Sequence, residues 1–445
     1  MKWKMCNSKK RSISSLWIWA SVWLTLILLI TGCGNQKSPE LLKPVQSTGD
    51  TCQALQHTVK VSSEESSGSL WQFSHGLLAE SLAEKNPILS PVSAYLAMGM
   101  TGLGAAGDTL AEFQAVMGTD LHQISQDLMQ NLPTEPEAAK DSNKASGLHI
   151  RLANSVWVDQ AMEPLEGWLN GVNNIYNAKV FRAQLSSKDA MQQMNKWIED
   201  ETLGLIKKFL EEPLDEDARM ALFNTVYFYG EWHQKFKESN TYPDTFIKED
   251  GQEVQVDMMH DYQCYRQYVA GDDFDGVILP YRDGDMAFVA LKPTAGQPVR
   301  ELYENLTEEV FQDIMSVEET TYMNLKLPKL EVTFDTVLNE KLQNMGIESA
   351  FDENLADFSA LGRCSDGLGV YISLVRQKAV MKLDEEGTEA AAVTMVVLEK
   401  ESAAVERQEK PLEVFFDEPF LYMIVNTAEE VPLFMGIMDQ PEVCQ

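Results

Sequence analysis

The residue types that most often do chemistry are all present in this chain, but their spacing builds none of the common reactive sites. The six histidines, His57, His75, His122, His149, His233 and His260, include no HExxH pair and no two at metal-ligand spacing, which argues against a zinc hydrolase. There is no GxSxG turn to present a serine nucleophile and no GxxxxGK[ST] loop to cradle a phosphate. Gly102-Leu103-Gly104-Ala105-Ala106-Gly107 does fit GxGxxG, yet a dinucleotide fingerprint needs a strand ahead of its glycines. The preceding SPVSAYLAMGM reads as helix, so the glycines mark a turn between two helices. Acidic residues outnumber basic ones 68 to 36, so paired carboxylates arise from composition alone and mark solvated faces. The formal charge of −32 opposes binding to nucleic acid or anionic headgroups. No catalytic group, metal or cofactor is expected, and no nucleic-acid partner.

Six cysteines remain to be placed. Residues 1–32 read as an export signal: Lys2, Lys4, Lys9, Lys10 and Arg11 precede an almost uncharged apolar run from Leu16 to Ile30. That run is long enough to be weighed as a retained transmembrane anchor. Ile30-Thr31-Gly32-Cys33 resembles a bacterial lipobox, however, which implies cleavage before Cys33 and lipidation of that cysteine. Cys6 would leave with the signal. Cys52, Cys264, Cys364 and Cys444 are too sparse for a disulfide scaffold or a zinc site, and their pairing is left open. Residues 33–68, rich in Ser, Thr, Gln, Pro and Glu, read as a flexible lipid-anchored tether.

The folded body is expected over 69–445, as one domain. Leu70, Phe73, Leu77 and Leu78 recur at helical spacing, and Ser90-Pro91 supplies a capping serine and a first-turn proline for a second helix. Residues 132–147 are a polar interruption that reads as a loop insertion. Residues 194–210 are helical by period, with Met194, Trp197 and Ile198 on one stripe. Strand signals then dominate in 221–229, 275–281, 286–293 and 322–332 and in two C-terminal runs, FLYMIVN and PLFMGIM. Helices first and strands later point to an α+β fold with large, mainly antiparallel β-sheets rather than repeating βαβ units.

Near the C-terminus, the stretch from Leu383 to Thr394, LDEEGTEAAAVT, resembles the hinge of an inhibitory serpin, with Glu385, Gly387, Thr388, Ala390, Ala391 and Ala392 in the matching positions. Small or β-branched residues alternate at Thr388, Ala390, Ala392, Thr394 and Val396, so one face of the segment can enter a packed sheet without overpacking it. Glu389 and Glu399 lie on the other face. Further motifs follow in serpin order: NPILSPVS from Asn86, Ala153-Asn154, FNTVYF from Phe223, Gly230-Glu231-Trp232, Leu279-Pro280-Tyr281, Leu327-Pro328-Lys329, Met345-Gly346-Ile347, DEPFLY from Asp417 and PLFMG from Pro432.

The resemblance implies a serpin fold with surrounding helices and an exposed reactive-centre loop at about 385–418. It implies a protease inhibitor and not an enzyme, whose partner is a serine or cysteine protease, and a monomer. Ser90, Pro91, Ser93, Asn224, Trp232 and Gln377 match the residues that control how the sheet opens. Gln377 stands where the family often has histidine, so the hydrogen bonding that closes the sheet is expected to differ. The loop is also longer than in a typical member. The family's usual spacing from Glu385 reaches Glu401-Ser402 as the scissile bond, with Lys400 and Arg407 as alternatives. A surface binding protein that keeps the fold without inhibiting is the rival reading.

Lipidation gives the first test. Cys33→Ala is expected to abolish incorporation of labelled fatty acid and to block processing to the mature form, and unchanged labelling removes the anchor.

Overall fold

The computed structural model describes residues 39–43, 63–132, 148–282, 285–294, 296–367, 369–388 and 410–441. Helices come early, as the sequence predicts: α1 (Ser63–Ala79), α2 (Pro91–Gly102), α3 (Gly107–Met117), α4 (Leu121–Asn131), α5 (Glu166–Tyr176) and α6 (Lys188–Glu201), with α7 (Val299–Asn305), α8 (Glu308–Met315) and α9 (Asn339–Asn344) later. In α2, Ser90 caps the first turn by accepting from Ser93 N, and Pro91 opens the helix where no amide partner is needed. The GxGxxG run sits between α2 and α3 as a turn, where a Cβ on Gly104 would come within 2.3 Å of Leu361.

Strands are numbered along the chain. One seven-stranded sheet has the order β1 (Glu40–Leu42), β5 (Lys179–Ala183), β3 (Leu148–Asp159), β6 (Met220–Glu231), β15 (Gly387–Thr388), β14 (Leu374–Leu383) and β12 (Leu330–Val337). A nine-stranded sheet runs β16 (Leu412–Phe415), β11 (Thr320–Pro328), β8 (Glu253–Ala270), β9 (Phe274–Pro280), β10 (Met286–Pro293), β17 (Phe420–Asn426), β18 (Val431–Met438) and β2 (Ile88–Leu89), with β7 (Thr241–Ile247) on β8. A third pairing joins β4 (Met162–Pro164) to β13 (Gly362–Cys364). Antiparallel pairing dominates; β3–β5, β6–β14 and β11–β16 run parallel. The period-2 rule fits β6: Met220, Leu222 and Phe228 join the main core, while Ala221 and Phe223 face α6 through Met194, Trp197 and Ile198.

Three expectations are corrected. The helix read over 194–210 runs from Lys188 to Glu201. Ser187 caps it early, and Leu203 and Gly204 adopt left-handed backbone that stops it. The strand read over 322–332 is two strands of different sheets. Pro328 ends β11, the Lys329 amide makes a last bond to the Asp257 carbonyl of β8, and β12 then begins in the other sheet. Within the stretch read as a tether, Glu40–Leu42 pair with Val180–Arg182 at the edge of the seven-stranded sheet, and Leu42 packs against the core. Helix α1 also starts at Ser63, ahead of residue 69. The insertion at 132–147 lies outside the described residues except for Leu132. Among the described residues no helix is long and apolar enough to cross a membrane, and residues 1–38, the export signal included, lie outside them.

Candidate functional site

Strands β6 and β14 are neighbours that scarcely pair. At one end Ala221 and Leu222 meet Leu374 and Val375. At the other end β15 comes between them, with Thr388 opposite both Gly230 and Leu383. Between these ends, residues 223–229 and 376–382 face each other with no ladder bonds. The gap opens into a narrow slot bounded by Val226, Phe228, Met381, Thr388, Ile424 and Phe434. Two strand edges with unused donors and acceptors are a template for one more strand.

Five of the six residues expected to govern sheet opening gather beneath this slot. The Gln377 side chain accepts from Ser90 N at 2.8 Å and donates to Ser90 O at 2.9 Å. Glutamine holds the start of α2 at both backbone groups, accepting with its amide oxygen and donating with its amide nitrogen. From the opposite strand, Asn224 accepts from Ser93 Oγ and donates to Asn154, whose amide nitrogen donates to Tyr176 O at 2.9 Å. Pro91 fixes the helix turn that carries both serines. Each side of the slot is thus tied to α2 separately.

Trp232 belongs instead to the far end, where it locks the hinge. Its indole Nε1 donates to Asp384 O at 2.8 Å and its backbone N–H to Glu386 O at 2.9 Å. Its ring stacks on Tyr281 at 4.8 Å, and the Tyr281 hydroxyl meets Thr388 Oγ1 at 2.5 Å. Lys329 Nζ reaches Glu385 Oε2 at 2.9 Å, and Lys235 pairs with Glu386. Burial alone would raise the Glu385 carboxyl, but the Lys329 ammonium helps to hold it below the ordinary carboxylate value. Gly387 is required by contact: a Cβ there would lie 2.0 Å from Gly230 O. The hinge is therefore seated already. Glu385 is 8% exposed and Thr388 2%, so the expected loop starts after Thr388, and its far stem is in strand from Leu412.

Sequence reading missed Tyr281, Lys329, Gly230 and Asn154 as working parts, although each lies inside a motif quoted above. Ala390, Ala391, Ala392, Lys400, Glu401, Ser402, Arg407 and Cys33 lie outside the described residues, as do Cys52 and Cys444. Cys264 and Cys364 are free thiols. Among the described residues no cluster of His, Cys, Asp or Glu suited to a metal occurs.

A sheet short of one central strand, with a hinge threaded into the gap, defines a strand-accepting fold. The chain belongs to the serpin family: the family model described as "Serpin (serine protease inhibitor)" matches residues 71–441. Alpha-1-antiproteinase F of Cavia porcellus is 29% identical over 385 residues, covering 83% of this chain and 90% of that protein. The thermophilic serpin tengpin in its native state is similar with a TM-score of 0.76 and 26% identity, over 91% of this chain and all of that one. Thyroxine-binding globulin in complex with thyroxine gives a TM-score of 0.72 at 25% identity, over 84% and 99%.

The Gln377 bridge is testable by thermal melting. Gln377→Ala strips the buried Ser90 N–H of its acceptor, at a cost of about 2 kcal/mol, and lowers the melting temperature of the native protein by a few degrees. An unchanged melting temperature shows that the bridge does not hold the sheet to α2.

Proposed function

We propose that this chain is an inhibitory serpin that traps a serine-type endopeptidase by inserting its cleaved loop into the seven-stranded sheet, and that a lipid on Cys33 holds it at the extracytoplasmic face of a membrane. The observation that carries the inhibitory reading is the slot with its hinge in register. Thr388 pairs with Gly230 and Leu383, so continuing that register sets residues 389–395 opposite 223–229 on one side and 376–382 on the other. Ala390 then falls between Phe228 and Met381, and Ala392 between Val226 and Ala379. Thr394 falls between Asn224 and Gln377. Phe228, Met381 and Ala379 are core residues, and small side chains there fill the slot without forcing the layers apart.

The chemistry belongs to the protease. Its serine oxygen attacks the carbonyl of the scissile residue, an ester forms as the peptide bond breaks, and the new amine leaves with the C-terminal fragment. The freed loop then zips into the slot. About fourteen inserted residues at ~3.3 Å each carry the tethered enzyme roughly 45 Å. Water competes throughout, because hydrolysis of the ester releases an intact protease. Inhibition therefore requires insertion to outrun deacylation.

The rival is a binding protein with the same fold, for which thyroxine-binding globulin is the relevant relative. It predicts loop cleavage without capture. The alternating small residues after Thr388 favour capture, since a passive binder has no use for a loop edge shaped to the slot.

Thr388→Arg separates the two. A guanidinium between Gly230 and Tyr281 is buried without a partner, at a cost of several kcal/mol, so the hinge is expelled and insertion slows. The variant is expected to stay folded and to be cut, but to yield far less SDS-stable complex per cleavage than wild type. Equal capture by the variant, or no gain in melting temperature when the wild-type loop is cut, rules out insertion.

Mass spectrometry of the C-terminal fragment, separated under denaturing conditions because it carries β16–β18, locates the cut. Cleavage is expected between Glu401 and Ser402, and a fragment starting after Arg407 shifts the specificity from glutamate-directed to trypsin-like proteases.

A further inference from the structure

The two stems of the loop are joined by one strand. Just ahead of its start, the Phe236 amide donates to Glu385 O at 3.0 Å in the hinge. At its end, Ile247 N donates to Asp417 O at 2.8 Å, just beyond β16. Strand β7 and its neighbour β8 therefore lie beside both stems of the loop.

That surface carries an exposed aromatic stack. Tyr242 of β7 is 42% exposed and Tyr262 of β8 is 50% exposed. Their rings flank buried His260, at 4.1 and 5.5 Å between centroids, and their hydroxyls are bonded to each other. The Tyr262 hydroxyl also meets His260 Nδ1 at 3.1 Å. A bulge sets this geometry. Gln263 adopts φ +54, a left-handed conformation uncommon for a residue with a side chain, and Asn324 Oδ1 holds its amide at 2.9 Å. Further along the same pair of strands, Tyr265, 42% exposed, stands opposite Tyr322 with 5.3 Å between rings.

We infer that these tyrosines form a second docking surface for the endopeptidase held on the loop, taking the body of the enzyme outside its active-site cleft. The inference rests on the inhibitory reading. Tyrosine offers a large apolar face and a hydroxyl at low rotamer cost, which is why it is enriched where partners dock. Here the rings are fixed before any partner arrives, so binding loses little side-chain entropy. The formal charge of −32 favours a protease whose rim around the cleft is basic.

The test compares wild type with the double variant Tyr242→Ser, Tyr262→Ser against trypsin, chymotrypsin, subtilisin and a glutamate-specific endopeptidase. For the protease trapped fastest, the association rate constant is expected to fall about tenfold or more, while the number of inhibitor molecules consumed per enzyme stays the same. Cleavage of a synthetic peptide of residues 389–409 gives the rate for the loop alone, and the variant is expected to approach it. If the double variant melts lower than wild type, Tyr265→Ser, which leaves the stack intact, supplies the same readout. Equal association rates for every protease that forms a complex overturn the inference. So does sedimentation showing that the surface instead pairs two copies of wild type. A wild-type chain that traps no protease refutes the inhibitory reading itself, seen by the absence of any complex rather than by a difference between variants.

Discussion

Two strand edges that face each other without pairing set the terms for the whole molecule. Backbone donors and acceptors left unused inside a fold are costly, yet between residues 223–229 and 376–382 the slot keeps two rows of them apart. The sheet is incomplete by one strand, and one more strand would satisfy both rows. What keeps it incomplete is attachment. Ser90 and Gln377 tie one edge to α2, and Ser93, Asn224 and Asn154 tie the other, so neither edge can slide across to close the gap without breaking buried polar contacts.

The hinge lock complements that attachment. Trp232 and Phe236 hold the carbonyls of Asp384, Glu385 and Glu386, and the pairing of Gly387 with Glu231 leaves no room for a side chain. One residue of strand has already been admitted at Thr388, where its hydroxyl satisfies the otherwise buried Tyr281 hydroxyl. The first step of completion is therefore built into the uncut protein, and the remaining chain starts from a register already chosen.

Much of this was legible in the sequence, and the failures are specific. The α2 cap, the glycine turn after it and the strands in the second half follow from local patterns that read the same in isolation as in the fold. Local periodicity misplaced α6, because Trp197 and Ile198 sit on a helical stripe while the stop signal is a left-handed turn at Leu203 and Gly204 that only the backbone reveals. It merged β11 with β12, because one apolar run feeds two sheets. Trp232 was grouped with Ser90 although the two work at opposite ends of the slot, since motifs record which residues matter and not what they touch. The tyrosine stack left no mark at all, as it depends on a bulge in β8 and on the pairing of three strands.

The register of the hinge also divides insertion into unequal halves. Seven residues past Thr388 can zip in while every bond formed is new. The eighth, residue 396, falls where Leu222 and Val375 already hold each other. From there the incoming strand acts as a wedge and must prise open a closed seam, losing a bond for each one it makes at that edge. If the chain inhibits as proposed, the obstacle that times the race against water is the small seam beside Ala221 and Leu374. On that reading, the residues of this seam set whether the trap shuts in time.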